Sequence, residues 1–75
     1  MLNIKSFKLT EDNFVQQTDI FVATIKHDLN TDVTAVTVSG EQGSVIYDYQ
    51  KPDLNHIHIL MVEPCAINVN IMYRV

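Results

Sequence analysis

Hydrophobic and polar residues alternate along most of this chain with the two-residue period that is typical of a β-strand. The alternation is clearest in residues 55–62, where Ile57, Ile59 and Met61 would point to one side of the strand. Residues 65–75 alternate in the same way and predict the last strand. The inward positions of that strand are Ile67, Val69, Ile71 and Tyr73.

The N-terminal part is less regular. Residues 4–9 alternate loosely and predict a short first strand, and residues 10–13 predict either a turn or a helical turn capped by Thr10. Residues 18–27 form a clearer strand that is largely apolar on both faces, so one face would meet the core and the other a neighbouring subunit. The candidate residues for an oligomer interface are Phe21, Ala23, Ile25, His56 and His58.

A hairpin is predicted at residues 40–43, where two glycines can adopt positive φ between strand-like segments. The next strand covers residues 44–50, with Val45, Tyr47 and Tyr49 on one face. Residues 51–53 are expected to end it, because Pro52 cannot donate a ladder hydrogen bond.

Short strands at a spacing of about ten residues, separated by Gly, Pro, Asp and Asn corners, predict an all-β fold. We expect a small antiparallel β-sandwich, or a partly open barrel, of about six to seven short strands. The whole chain, residues 1–75, would form one domain, and residues 1–17 would be either an arm or a first hairpin.

Composition narrows the class of partner. The 75 residues carry a net charge of −4 without a cluster of Lys or Arg, which argues against nucleic acid as a partner. No run approaches the ~18–20 apolar residues of a membrane span, and the N-terminal residues lack the pattern of a secretion signal. A chain this short, with one cysteine and hence no intrachain disulfide, is marginally stable alone, so association with other chains is expected.

The stretch of residues 25–38 joins a strand end, a polar corner and a β-branched strand. Its corner is His27-x-Leu29-Asn30-Thr31, and a second corner, Asp53-x-Asn55, follows later. Between and after them come Val36-x-Val38, Gly43, Val45, Asp48 and Ile57-x-Ile59. From residue 18 to residue 75, this series resembles a small β-module of tailed-bacteriophage virion proteins, found in tail fibres, baseplate-associated proteins and head-fibre or decoration proteins. The first corner is distinctive, whereas the remaining alternation is generic.

One departure from the family pattern affects the strand after the corner. The usual pattern has an extra residue between the Thr and an Asp-Val pair, but here Asp32 and Val33 follow Thr31 directly. A slip of one residue exchanges the two faces of a strand. The face that this strand turns inward is therefore left open.

The resemblance implies a non-enzymatic structural protein of the virion, attached to the capsid surface or a fibre base, made in the host cytoplasm and needing no cofactor. Its partners would be other virion proteins and further copies of itself, with a trimer expected by analogy with phage fibres. The alternative is a tail-fibre or baseplate module that binds a host-surface glycan or protein through the loops at residues 40–43 and 50–54. The residues assigned to the structural corners are His27, Leu29, Asn30, Thr31, Asp53 and Asn55.

Few residues suggest chemistry. His56 and His58 would share one face of a strand, and three chains around an axis could bring six imidazoles to one transition metal. Two histidines in one chain do not make a complete site, so we expect no metal and two polar outward residues. Cys65 is expected to be a small buried hydrophobe.

Other polar and aromatic residues also favour a non-catalytic role. Asp and Glu residues fall mostly at corners, as turn formers do. Tyr47, Tyr49 and Tyr73 are expected at the edges of a core or interface, although exposed tyrosines would allow carbohydrate binding. Since no nucleophile–base pair, phosphate loop or metal cluster is evident, the sequence predicts no enzyme.

Overall fold

The computed structural model describes residues 2–40 and 43–74, and these form two four-stranded antiparallel sheets. The elements in chain order are β1 (Leu2–Leu9), a 3-10 turn (Glu11–Asn13), β2 (Val15–Gln17), β3 (Ile20–Lys26), β4 (Val33–Gly40), β5 (Gly43–Ser44), β6 (Asp48–Asp53), β7 (His56–Met61) and β8 (Ile67–Arg74). The strand order is β1-β8-β4-β5 in the first sheet and β2-β3-β7-β6 in the second. The predicted all-β sandwich is confirmed.

The core is built from alternate positions of the central strands of both sheets. Ile57, Ile59 and Met61 from β7 and the predicted inward residues of β8 are buried, with Tyr73 half-buried. The buried apolar side chains are Phe14, Ala23, Ile25, Val33, Val36, Val38, Ile57, Ile59, Met61, Ile67, Val69 and Ile71. Burial of this apolar area is the main force that holds the two sheets together.

Residues 2–17 contribute one strand to each sheet and form neither an arm nor a hairpin of their own. β1 pairs with β8 in the first sheet, and β2 pairs with β3 in the second. The 3-10 turn between them is capped by an Asn13 side-chain oxygen that accepts a hydrogen bond from the Thr10 backbone N–H at 2.8 Å. Because β1 has paired with the last strand of the chain, this turn must carry the chain from one sheet to the other.

The predicted strand at residues 44–50 is divided in two. Gly40 pairs with Gly43 across the predicted hairpin, whose tip at residues 41–42 lies outside the described residues. After the two-residue β5, the chain crosses to the second sheet and starts β6 at Asp48. Val45, Tyr47 and Tyr49 nevertheless pack against the core, as their alternation predicts.

Proline does not end β6, contrary to the sequence expectation. The strand continues through Pro52 to Asp53, and its pairing with β7 is irregular between Gln50 and Asp53. β6 lies at the edge of its sheet, where a missing N–H need not break a ladder. Residues 50–53 are therefore strand and not the predicted loop.

A register shift in β4 settles which face of that strand is inward. Val33 pairs with Tyr73 of β8 while Ala35 pairs with Met72, so one extra residue is accommodated at this point. The shift lets Val33 and Val36 both point into the core, although they stand three positions apart. The register that the sequence left open is thus fixed by a local bulge.

Candidate functional site

The two corners assigned from the sequence lie side by side at one end of the sandwich. The first carries the chain from β3 in the second sheet to β4 in the first, and the second is the tight turn between β6 and β7. Asp28 and Asn30 adopt positive φ angles of 57° and 47°. Asp and Asn tolerate this left-handed conformation better than other non-glycine residues, because their short side chains hydrogen-bond locally.

Backbone hydrogen bonds join the first corner to the second. The His27 N–H donates to the Asn55 carbonyl at 2.8 Å, and the Thr31 N–H donates to the Leu54 carbonyl at 3.1 Å. These two bonds enclose the left-handed residues and continue the pairing between β3 and β7 beyond its last regular pair. We call the resulting unit, residues 27–33 with residues 53–56, the double corner.

Asparagine and aspartate side chains complete the double corner. The Asn55 Oδ1 accepts the Asn30 N–H at 2.7 Å, and the Asp53 Oδ1 accepts the Asn55 N–H at 2.7 Å. Each bond satisfies a backbone donor that a sharp turn would otherwise leave without a protein partner. The Asp-x-Asn sequence therefore shapes its own turn and also fixes the neighbouring one.

His27 fills the space beneath the double corner. Its side chain is fully buried, its Nδ1 accepts the Leu29 N–H at 3.2 Å, and its backbone carbonyl accepts a hydrogen bond from the Lys5 Nζ at 2.8 Å. Burial, reinforced by the positive charge of Lys5, lowers the pKa of His27. The lowered pKa favours the neutral ring. Because Nδ1 accepts the Leu29 N–H, the proton of that neutral ring lies on Nε2, which is buried without a partner among the described residues.

An ion pair and a carboxylate–histidine hydrogen bond lie at the surface of the double corner. Lys51 Nζ lies 2.9 Å from an Asp32 oxygen and also donates to the Val33 carbonyl at 3.2 Å. Asp53 contacts His56 Nδ1 at 2.8 Å. The hydrogen bond from Lys51 holds the pKa of Asp32 below its usual value, and the one from His56 does the same for the pKa of Asp53.

The residues assigned to an oligomer interface do not form one surface. Ala23 and Ile25 are buried in the core of the single chain, at 0% and 4% exposure, so the prediction that they form an oligomer interface is wrong. Phe21 packs against that core as well. β3 is largely apolar on both faces, so its sequence alone does not distinguish the core side from a side that faces a partner.

His56 and His58 lie on the outer face of β7 and are half-buried. Their neighbours across the sheet are Lys26 and Asp53 for His56, and Thr24 and Gln50 for His58. Within residues 2–40 and 43–74, no group of three potential ligands from His, Cys, Asp and Glu could hold a metal ion. His56 is part of the double corner, and His58 follows it on the same face of β7.

The opposite end of the sandwich carries an apolar cleft of about 560 Å³. Ile46 and Val62 at its mouth are 91% and 67% exposed, and Cys65 lies half-buried in its wall. The described residues that line the cleft include Glu63 but none of the three histidines, so Cys65 lacks the Cys–His pair that is typical of a nucleophilic cysteine. We call this region the apolar end.

Comparisons with protein-family models, with curated proteins and with solved structures found no match for this chain. The interpretation of the double corner therefore depends on its geometry and on the resemblance of its sequence pattern. No helix in the described residues is long and apolar enough to cross a membrane.

Sequence reasoning missed three residues that complete the site. Lys5 reaches under the double corner from β1, Leu54 supplies a carbonyl acceptor, and Lys51 bridges Asp32 and Val33. Only Lys5 left a usable signal: its alternation with Phe7 places it on the inward face of β1, where a charged residue needs a partner. What the whole arrangement can do is hold two chain segments in one fixed shape.

Proposed function

We propose that this protein is a non-enzymatic structural component of a tailed-phage virion, a small β-subunit that attaches to the capsid surface or to a fibre base. The double corner carries the proposal. The two most specific elements of the family pattern, His27-x-Leu29-Asn30-Thr31 and Asp53-x-Asn55, lie far apart in the sequence. In the fold they are joined by hydrogen bonds of 2.7–3.1 Å.

The geometry supports the resemblance because it gives the pattern a physical reason. His27 must be compact and able to accept the Leu29 N–H, Asn30 must tolerate positive φ, and Asn55 must present an oxygen to Asn30. A chain that kept only generic β alternation would need none of these residues.

Exposed hydrophobic residues support a role in an assembly. The apolar end offers Ile46 and Val62, and the outer sheet faces offer Ile4 and Val15 at 61% and 64% exposure. Apolar residues that cluster at a surface commonly mark contacts with partner proteins. A small subunit bound to a larger particle would cover part of this surface.

The experiment is quantitative mass spectrometry of purified virions from the phage or prophage that encodes the chain. The protein should copurify with the particles through a density gradient, at a stoichiometry comparable to that of other structural proteins. Partial dissociation would then show whether it leaves with heads or with tails. Its absence from intact particles, when it is abundant in the infected-cell lysate, would contradict the proposal.

The alternative, recognition of a host-surface glycan or protein, has less support. Residues 50–53, half of the proposed contact surface, are strand, and Asp53 is already engaged by Asn55 and His56. Leu54, at 51% exposure, remains as an apolar contact at the tip of the turn. Binding of the purified protein to host cells or to a glycan array, lost in Leu54→Ser and kept in Val62→Ser, would favour this alternative.

A further inference from the structure

The four sheet edges of this sandwich are unequally protected against pairing with another strand. β5 and β2 have two and three residues, and β6 carries Pro52 and an irregular register. Short strands, proline, bulges and charged side chains are the usual devices that prevent edge-to-edge association. β1 is the least protected edge: its eight residues pair regularly with β8 and contain no proline, and its protection is limited to Lys8 and to Lys5, which is bonded to the His27 carbonyl.

The outer face of β1 presents apolar residues at this open edge. Ile4 is 61% exposed and Leu2 is 46% exposed. Across the first sheet, Ile4 lies beside Met72, and Met72 lies beside Ala35. A row of three apolar side chains therefore runs over the outer face and ends, uncovered, at the edge strand.

We propose that a second copy of this chain pairs with β1 antiparallel, about a two-fold axis that passes beside Ile4. The sheet that contains β1 in one copy then joins the same sheet of the second copy, which gives one continuous sheet of eight strands. Self-association through one identical surface is the commonest route to a homodimer. Backbone donors and acceptors on the free side of residues 2–6 receive partners, as in other cases of strand addition.

The position of the axis follows from the faces and charges of β1. A two-fold axis perpendicular to the sheet places each outward residue of β1 opposite an outward residue of the second copy. Because outward and inward residues alternate along the strand, such an axis must pass beside a residue and not between two residues. At Lys5 it would place two ammonium groups directly opposite each other, which is destabilising. At Ser6 it would place Lys8 against the partner's Ile4 and interrupt the apolar row.

An axis at Ile4 avoids both faults. Ile4 meets its own copy, Asn3 meets Lys5, and Leu2 meets Ser6, so no like charges face each other. The apolar row then continues through both copies as six residues, Ala35, Met72 and Ile4 followed by the same three in reverse order. This self-complementarity is the reason that the partner is a second copy and not an unrelated strand.

The test is the oligomeric state of the whole chain by light scattering coupled to gel filtration, at ~100 μM, where even weak interfaces assemble. We expect twice the chain mass of 8.6 kDa for the wild type and a monomer for Ile4→Lys. Val15→Lys is the matched control, since Val15 is equally exposed and also lies on an outward position of an edge strand. It should remain a dimer, with circular dichroism showing all three proteins folded.

Three results would overturn the pairing: a monomeric wild type, a trimer, or an Ile4→Lys variant that stays dimeric. A cross-linking experiment tests the register independently. In a Cys65→Ser background, Ile4→Cys should form a disulfide-linked dimer on mild oxidation, because facing residues of paired strands lie within disulfide range. Ser6→Cys should not, and cross-linking through position 6 instead would contradict the axis at Ile4.

The dimer is independent of the proposed virion role. A virion protein could prove trimeric, as the resemblance to phage fibres implies, and only the pairing through β1 would then fail. Conversely, a dimer that never enters particles would leave the pairing intact and remove the proposed function.

Discussion

The two ends of this sandwich are held together in different ways. At the double corner, two turns are joined by backbone and side-chain hydrogen bonds over a fully buried histidine. At the apolar end, the chain leaves a cleft of about 560 Å³ with Ile46 almost fully exposed. Directional bonds fix one end in a single shape, whereas the other end has apolar surface available for a partner.

The difference shows where this sequence needs particular residues. Each polar group in a sharp corner needs a hydrogen-bond partner, so the loss of a single donor or acceptor lowers the free energy of unfolding. Exposed apolar residues around a cleft are interchangeable for the stability of the chain itself. The predictions that follow compare matched substitutions at the two ends.

The largest effect should come from His27→Ala. Truncation of a fully buried side chain leaves a cavity and removes the acceptor of the Leu29 N–H, at a cost of about 2–3 kcal/mol in the free energy of unfolding. Cys65→Ala, at the apolar end, should cost less than about 1 kcal/mol. Urea unfolding followed by circular dichroism measures both, and equal costs would refute the contrast between the ends.

Asn55→Ala should cost about 1–2 kcal/mol, because it leaves the Asn30 N–H without its acceptor inside a bonded corner. Asn68→Ala is the matched control, since Asn68 is an exposed asparagine on the outer face of β8. The control should change the free energy of unfolding by less than about 0.5 kcal/mol. If the two variants were equally stable, the Asn55 bond would contribute nothing to the fold.

The pH dependence of stability should depend on His27. Because its pKa is lowered on folding, the unfolded chain binds the proton more readily. The stability that depends on neutral His27 is fully present above pH 6.5, the pKa of histidine in the unfolded chain. It is lost as the pH falls from there toward the lower pKa of His27 in the folded chain. The slope in this window is at most about 1.4 kcal/mol per pH unit for one proton.

One set of unfolding curves checks both the direction of this pH dependence and its assignment to His27. His27→Gln should flatten the pH profile in this window, while His58→Gln, on the outer face of β7, should keep it. The titratable neighbours that influence the pKa of His27 are Lys5, His56, Asp53 and Asp28. Unfolding curves at several pH values give the profile, and an unchanged slope in His27→Gln would exclude His27 as its source.

The smallest effect on stability is expected for Val62→Ser at the apolar end. Val62 is 67% exposed, so the free energy of unfolding should change by less than about 0.5 kcal/mol. Binding of an apolar fluorescent dye to the folded protein should nevertheless weaken, because Val62 lines the cleft. The same dye measurement on Asn55→Ala, under fully folded conditions, should match the wild type.

Much of the fold can be predicted from the sequence, because a strand with one buried face must have an apolar residue at every second position. Ile57, Ile59 and Met61 could be assigned to the core from alternation alone, and the corners could be placed from Asp and Asn residues. Alternation does not reveal which strands become neighbours. The pairing of β1 with β8, between the two ends of the chain, left no local signal.

Other features escaped prediction for definite physical reasons. Thr18 takes a φ of 58° in the turn between β2 and β3, and a β-branched residue is not a hairpin signal at such a position. Pro52 was expected to end a strand, but the edge position of β6 tolerates it. Leu54 contributes through its carbonyl, which every residue possesses, so nothing in the sequence could mark it.

Amide hydrogen exchange at Asn30 and Thr31 tests the central claim most directly. Both amides lie outside the strands, and the double corner binds both of them. We expect their protection to approach that of the Ile57 amide in β7, and the Asn30 protection to fall sharply in Asn55→Ala. Exchange of both amides as fast as at Glu63, in the exposed turn of the apolar end, would contradict the account.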